Sequence, residues 1–152
     1  MATETALKLW VVLSRAQAAV AAHAEADAAR HGLSAVEFGA LEALYHKGPL
    51  LVGELQRAVL RSSGGITYVV DRLETKGLVR RRRCADDRRA IYTELTPEGG
   101  ALIRRIFPLH AESLERALGG LDEADRFRAT ALLKRLGKHA AVLPRPGASP
   151  AA

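Results

Sequence analysis

Between residues 66 and 96 a single glycine separates two kinds of backbone, and this change constrains the fold more than any other feature of the chain. Before the glycine, Ile66, Val69, Val70 and Leu73 recur at i, i+3, i+4 and i+7, the spacing that gathers side chains onto one stripe of an α-helix. Thr67, Tyr68, Asp71, Arg72 and Thr75 are thereby left facing outward. After it, "LVRRRR" and "AIYTELT" read as two strands, joined by "CADDR", an acidic turn with a basic flank. Gly77 marks the stop and is expected in the left-handed conformation that glycine adopts without steric cost. Upstream, a short helix over residues 51–60 leads into "RSSGG", a tight turn in which Ser62 or Ser63 caps the striped helix.

The flanks read as further helices. Residues 5–30 form a long Ala-rich helix with apolar positions on several faces, stopped by Gly32. "LSAVEF" then opens a second helix with Ser34 as N-cap, Glu37 completing a capping box, and Leu33 and Phe38 in hydrophobic-staple positions. It ends before Gly48-Pro49. Thr96-Pro97 supplies the N-cap and first residue of a fifth helix. Pro108 is expected to kink or split that helix, because proline removes an internal hydrogen bond. Asp122 caps the last helix, whose apolar face is Phe127, Leu132, Leu133 and Leu136, and residues 144–152 have the composition of a disordered tail.

Two short helices, a tight turn and a β-hairpin make a winged helix-turn-helix, so the expected class is mostly α with a small β-hairpin wing (α+β). One domain over residues 1–143 is expected, with the winged helix at 34–96 and dimerisation helices at 5–31 and 97–143. A winged helix needs only about 60–80 residues. The apolar arms beyond it would lack cover in a monomer, and a symmetric homodimer buries them.

Net charge says where a partner would sit. Residues 57–89 hold ten Lys/Arg against four Asp/Glu, a surplus equal to the +6 of the whole chain. A neutral body with one basic block is suited to a polyanion. With only 5% aromatic residues, stacking on single-stranded RNA is disfavoured. No apolar run reaches the roughly 18 residues of a membrane span, and no export signal is read at the N-terminus. The single cysteine suits a reducing cytoplasm. The five histidines show no metal-ligand spacing, and no Walker loop, GxSxG elbow or catalytic triad is present, so neither an enzyme nor a metal or cofactor is expected.

Double-stranded DNA is the expected partner. In such a motif the second helix enters the major groove. Ser62, Ser63, Gly64 and Gly65 allow close approach and offer backbone N–H groups to phosphate. Thr67 and Tyr68 lie one turn in, within reach of base edges, with Arg72 on the same face. In the wing, Arg82, Arg88 and Arg89 are candidate contacts to the phosphate backbone, a tip arginine entering the minor groove. Strand alternation sends about half of Arg80 to Arg83 toward the body or an acidic partner. Asp87 would repel phosphate and is assigned to holding the turn, by accepting backbone N–H bonds or pairing with an arginine. Cys84, among arginines, is a candidate redox switch or an incidental small residue.

The stretch "LLVGELQRAVLRSSGGITYVVDRLETKGLVRRRRCADDRRAIYTELTPEGGAL" resembles the core of the MarR family of bacterial transcriptional regulators. The telling pieces are "VDRLETKGLVRR", "DDRRAIYTELT" and "LTPEG", and the resemblance extends over about residues 5–140. It implies a homodimer with interlocked terminal helices, repressing at an inverted-repeat operator. It also makes Arg89 the minor-groove arginine of the wing tip and Asp87 its partner. "SSGGITYVVDRLE" and "RIFPLH" are most similar to the quinone- and catechol-responsive MhqR type, which implies release by a small phenolic or quinone effector. The family places an effector between the dimer helices and the DNA-binding lobe. Trp10, Phe38, Tyr45, Phe107 and His110 are candidate lining residues, with core or dimer packing as their alternative role. Two other functions stay open: a redox-responsive regulator acting through Cys84, and a winged-helix protein-interaction module with no specific operator.

Overall fold

A computed structural model describes residues 1–59 and 65–144. Helix α1 spans Ala2–Arg30, α2 Ala35–Lys47, α3 Val52–Ala58, α4 Ile66–Thr75, α5 Pro97–Ala117 and α6 Glu123–Val142; the strands are β1 Leu50–Leu51, β2 Val79–Arg83 and β3 Ile91–Leu95. The chain forms two compact units, 1–116 and 117–152. The expected caps at Ser62 and Ser63, the contact at Gly64 and most of the 144–152 tail lie outside the described residues.

Within the first unit, local chemistry fixes the helix ends. The Glu37 N–H donates to Ser34 Oγ at 3.1 Å, and the Ser34 N–H donates to Glu37 Oε2 at 2.8 Å, so the capping box is complete. Leu33 and Phe38, its staple residues, are both buried. Helix α4 ends as its glycine requires: Gly77 has φ 72°, its N–H donates to the Glu74 carbonyl, and the Leu78 N–H donates to the Leu73 carbonyl. That pair of bonds turns the chain sharply into β2. The wing forms as the expected hairpin, with Val79 opposite Leu95 and Arg83 opposite Ile91. A third strand, β1, pairs with β3 through Leu50–Thr93 and Leu51–Tyr92, giving the order β1-β3-β2. Two residues carry no readable period, so β1 is silent in the sequence.

The core of this unit lies between α2, α3, α4, α5 and the base of the wing, built on Leu41, Leu55, Val70, Leu73, Ile103 and Ile106. The α4 stripe is confirmed: Ile66, Val70 and Leu73 are buried, and Val69 packs against them half-buried. The Gly99 N–H donates to Thr96 Oγ1 at 3.0 Å, which starts α5 at the expected cap. Pro108 does not split the helix; α5 runs unbroken to Ala117. Burial of Ile103, Ile106 and His110 on its inner face outweighs one missing hydrogen bond.

Helix α1 begins at Ala2, earlier than expected, and its N-terminal half exposes Leu7, Leu9, Trp10, Val11 and Val12. In the second unit, Asp122 Oδ1 accepts the Asp125 N–H at 2.8 Å and starts α6 as its sequence suggests. No α6 residue is buried, and Phe127, Leu132, Leu133 and Leu136 are all exposed.

Candidate nucleic-acid interface

Helix α4 presents the outward face that its stripe demands: Thr67, Tyr68, Asp71, Arg72 and Thr75 are exposed, and Gly65, with φ 92°, is its N-cap. Arg72 and the neighbouring Lys76 are also fastened from behind. Arg72 Nε donates to Glu37 Oε1 at 3.0 Å, and Lys76 Nζ donates to Glu37 Oε2 at 2.8 Å and to the Gly32 carbonyl at 2.8 Å. Glu37 itself is 2% exposed. Burial pushes its carboxyl up, but the bonds from Lys76, the Ser34 N–H and Arg72 outweigh that and hold it below the ordinary glutamate value. The same pairing raises Arg72 above the usual arginine value. The sequence assigned Glu37 only a cap. Its partners lie 35 and 39 residues away, and no local spacing connects them.

The four consecutive arginines divide by face. Arg81 turns toward α4, where its guanidinium donates to Asp71 Oδ1 at 2.6 Å and to the Glu74 carboxylate. Arg80 and Arg82 share Glu94 across the wing, at 2.7 and 3.1 Å, and Arg82 also lies over the Tyr92 ring at 5.5 Å. These two arginines hold Glu94 below its ordinary value. Arg82 is therefore engaged within the wing rather than left free, since its cross-strand partner Tyr92 stands beside Glu94. Arg83, Arg88 and Arg89 are exposed and take no ion pair among the described residues. At the tip, Asp87 Oδ1 accepts the Arg89 N–H at 2.9 Å, and the Asp87 carbonyl accepts the Ala90 N–H at 3.1 Å. Asp87 thus supports the turn by accepting a backbone bond, one of its two expected roles. Cys84 is half-buried beside this turn, its N–H donating to the Ala90 carbonyl.

A cavity of about 750 Å³ opens between α1, α2, the end of α3 and α5. Its walls are mostly apolar, with Val20, Ala24, Val36 and Phe38 among them, and His46 and His110 add polar groups. His110 is buried; its Nδ1 stands 2.9 Å from Asp27 Oδ2, and its ring lies 4.1 Å from that of Phe38. Of the expected lining residues, Phe38 and His110 line the cavity, and Trp10, Tyr45 and Phe107 do not. Trp10 is 66% exposed and sits seven positions before Gln17, the first α1 residue of the cavity wall, about 10 Å back along the helix. Tyr45 and Phe107 pack on one another and on His46 instead. No group of three or more His, Cys, Asp or Glu that could hold a metal occurs among the described residues. No described helix is long and apolar enough to cross a membrane.

Comparison with known proteins agrees with this arrangement. Residues 31–90 match the MarR family model. The transcriptional regulator MhqR of Bacillus subtilis is 41% identical over 138 residues, covering 91% of this chain and 95% of its own. Sco3205, a MarR family regulator from Streptomyces coelicolor solved in complex with DNA, superimposes with a TM-score of 0.81 at 24% identity, covering 94% of this chain and 90% of its own. Bordetella bronchiseptica BpsR, whose DNA binding is regulated by 6-hydroxynicotinic acid, gives 0.75 at 26% identity, covering 83% and 90%. With its winged helix, its flanking helices and this likeness along nearly the whole chain, the protein belongs to the MarR family of transcriptional regulators.

Proposed function

We propose that this chain is a homodimeric, sequence-specific regulator that binds an inverted-repeat operator in duplex DNA and lets go when a small aromatic ligand enters the α1–α2–α5 cavity. The observation that carries the reading is the set of wing arginines, Arg83, Arg88 and Arg89, that take no ion pair among the described residues. Cations already neutralised by carboxylates gain little from phosphate, whereas unpaired ones release counterions on contact. In this reading Gly65, Thr67 and Tyr68 approach the major groove. Arg88 follows the backbone and Arg89 enters the minor groove, its main chain pinned by Asp87. Arg82, bound to Glu94, is a weaker contact. Ser62, Ser63 and Gly64 retain the phosphate-approach role that their residue types suit.

A second copy is the partner suited to the exposed apolar side chains of α1 and of α6. Pairing by a twofold axis would set two α4 helices about 34 Å apart, one turn of DNA. For the effector, the cavity has the volume and apolar lining of a small-molecule site. The 6-hydroxynicotinic acid that regulates BpsR is a flat hydroxylated aromatic, the class that fits such walls. Repression follows the habit of the family, and such work belongs in the cytoplasm. Binding of a labelled duplex from the region upstream of the chain's own gene tests the reading by fluorescence anisotropy. Arg89→Ala should weaken binding by about 1–3 kcal/mol and lower the salt dependence by about one phosphate contact. Equal affinities for the variant and the parent would refute the wing assignment.

A further inference from the structure

Among the described residues, Arg72 is tethered to one carboxylate, Glu37, and interacts with Tyr68 on its own helix. Its Nε is bound to Glu37, yet half of its side chain remains exposed on the outward face of α4. Tyr68, one helical turn earlier, places its ring centroid 5.9 Å from the guanidinium carbon. The tether is itself immobile, because Glu37 is buried and also accepts from Lys76 and from the Ser34 N–H. Lys76 in turn is anchored on the Gly32 carbonyl.

A guanidinium is a planar group with five N–H donors. Use of Nε as the anchor leaves the two terminal nitrogens at the outer end, and the plane they lie in is set before any partner arrives. A fork held in this way loses little freedom on binding, and it matches two acceptors lying side by side. In the major groove guanine alone offers that edge, through N7 and O6; adenine pairs an acceptor with a donor, thymine an acceptor with a methyl group, and cytosine presents a donor. A phosphate contact needs no such bracing, and the Glu37 charge beside Arg72 dilutes its pull on a phosphate without weakening directed bonds. Building on the proposed DNA-binding function, we infer that Arg72 reads one guanine in each operator half-site through its terminal nitrogens. Glu37 is the positioning residue that sets the plane of the fork.

The full-length protein is used to select duplexes from a random library, and the selected site is then titrated by anisotropy. Each half-site should contain a guanine whose exchange for 7-deazaguanine, which lacks the N7 acceptor, weakens the parent at least about fivefold. That change is made in the DNA, so the result holds even if a protein variant fails to fold. Arg72→Ala and Arg72→Gln should be indifferent to the exchange and should select sites degenerate at that position alone. Glu37→Gln keeps a side chain able to complete the capping box. It should lose preference at the same position while the other positions stay as selective as in the parent; equal loss everywhere would remove Glu37 from the inference. Arg72 variants that select the parental motif at every position would overturn it. So would a uniform loss on all sequences with the salt slope lowered by about 0.9, the mark of a phosphate contact. A parent protein that enriches no motif refutes the DNA-binding function itself, a result distinct from a motif lacking an Arg72-dependent guanine.

Discussion

Arg81→Gln separates the arginines that hold the protein together from those proposed to meet DNA. Arg81 joins the wing to α4 through two carboxylates, Asp71 and Glu74, and is 27% exposed while they are 57% and 40% exposed. Opposite charges about 4 Å apart attract by roughly 1 kcal/mol in water and 4 kcal/mol near a protein surface, before the entropy of holding long side chains is subtracted. Measured exposed pairs retain about 0.2–1 kcal/mol each, so two pairs sharing one guanidinium should contribute about 1 kcal/mol together. Urea denaturation should accordingly give a loss of that size. Binding should suffer as well, because two uncompensated carboxylates then flank the exposed face of α4 and the wing loses its fixed seat. The salt dependence tells the two roles apart. Removal of a phosphate contact lowers the slope of log K against log salt by about 0.9, whereas removal of an internal clamp leaves it close to the parental value. A weaker complex with the slope reduced by a full contact would mean that Arg81 touches DNA, and the division of the arginine run described above would be wrong.

Three other outcomes follow from the geometry. A β-carbon on Gly99 would lie 1.9 Å from the Leu78 carbonyl oxygen, whereas one on Gly100 meets nothing within 4 Å. In urea melts Gly99→Ala should therefore cost about 1–3 kcal/mol, while Gly100→Ala should be neutral or stabilising by up to about 1 kcal/mol; equal effects would refute the close approach. Glu37 and Glu94 titrate below the ordinary glutamate value when folded, so the stability they contribute is complete above about pH 4.5 and is lost as pH falls through their folded values. Glu37→Gln should flatten that acid limb of the stability profile, and an unchanged limb would show that Glu37 is not its source. Leu133→Glu places a charge on the exposed apolar side of α6 and should give monomers by light scattering, where an intact dimer would exclude that side from the interface.

Features that depend on neighbours along the chain were readable in the sequence. The Ser34–Glu37 box, the stop at Gly77, the Thr96 and Asp122 caps and the striped face of α4 each rest on contacts a few residues long. The sheet was partly readable, since β2 and β3 face each other across a short turn, but β1 exists only because β3 offers it an edge. At Pro108 the split that sequence allowed does not occur, for the same reason of locality: a missing hydrogen bond is visible in sequence, and the burial that outweighs it is not. At the interface, residue types identified the arginines as a group, whereas their partition rests on which carboxylate each one meets. Asp71 and Glu74 come from another element, and Glu94 comes from the opposing strand. The cavity was least accessible. Its walls come from four elements, and beside Phe38 and His110 they are formed largely by valines and alanines, with Trp10, Tyr45 and Phe107 outside them.

The bond from Lys76 to the Gly32 carbonyl has a mechanical consequence. Gly32 belongs to the elbow joining α1 to α2, and Glu37 lies in the second limb of that elbow, so one ammonium rivets the far end of α4 to the elbow and to that limb. Shearing the rivet would leave a carboxylate that water scarcely reaches with Arg72 as its remaining cation among the described residues, a cost that resists small displacements. The outward face of α4 and the elbow therefore travel as one piece, and any tilt of the long first helix that carries the elbow with it reorients the surface proposed to meet a nucleic acid.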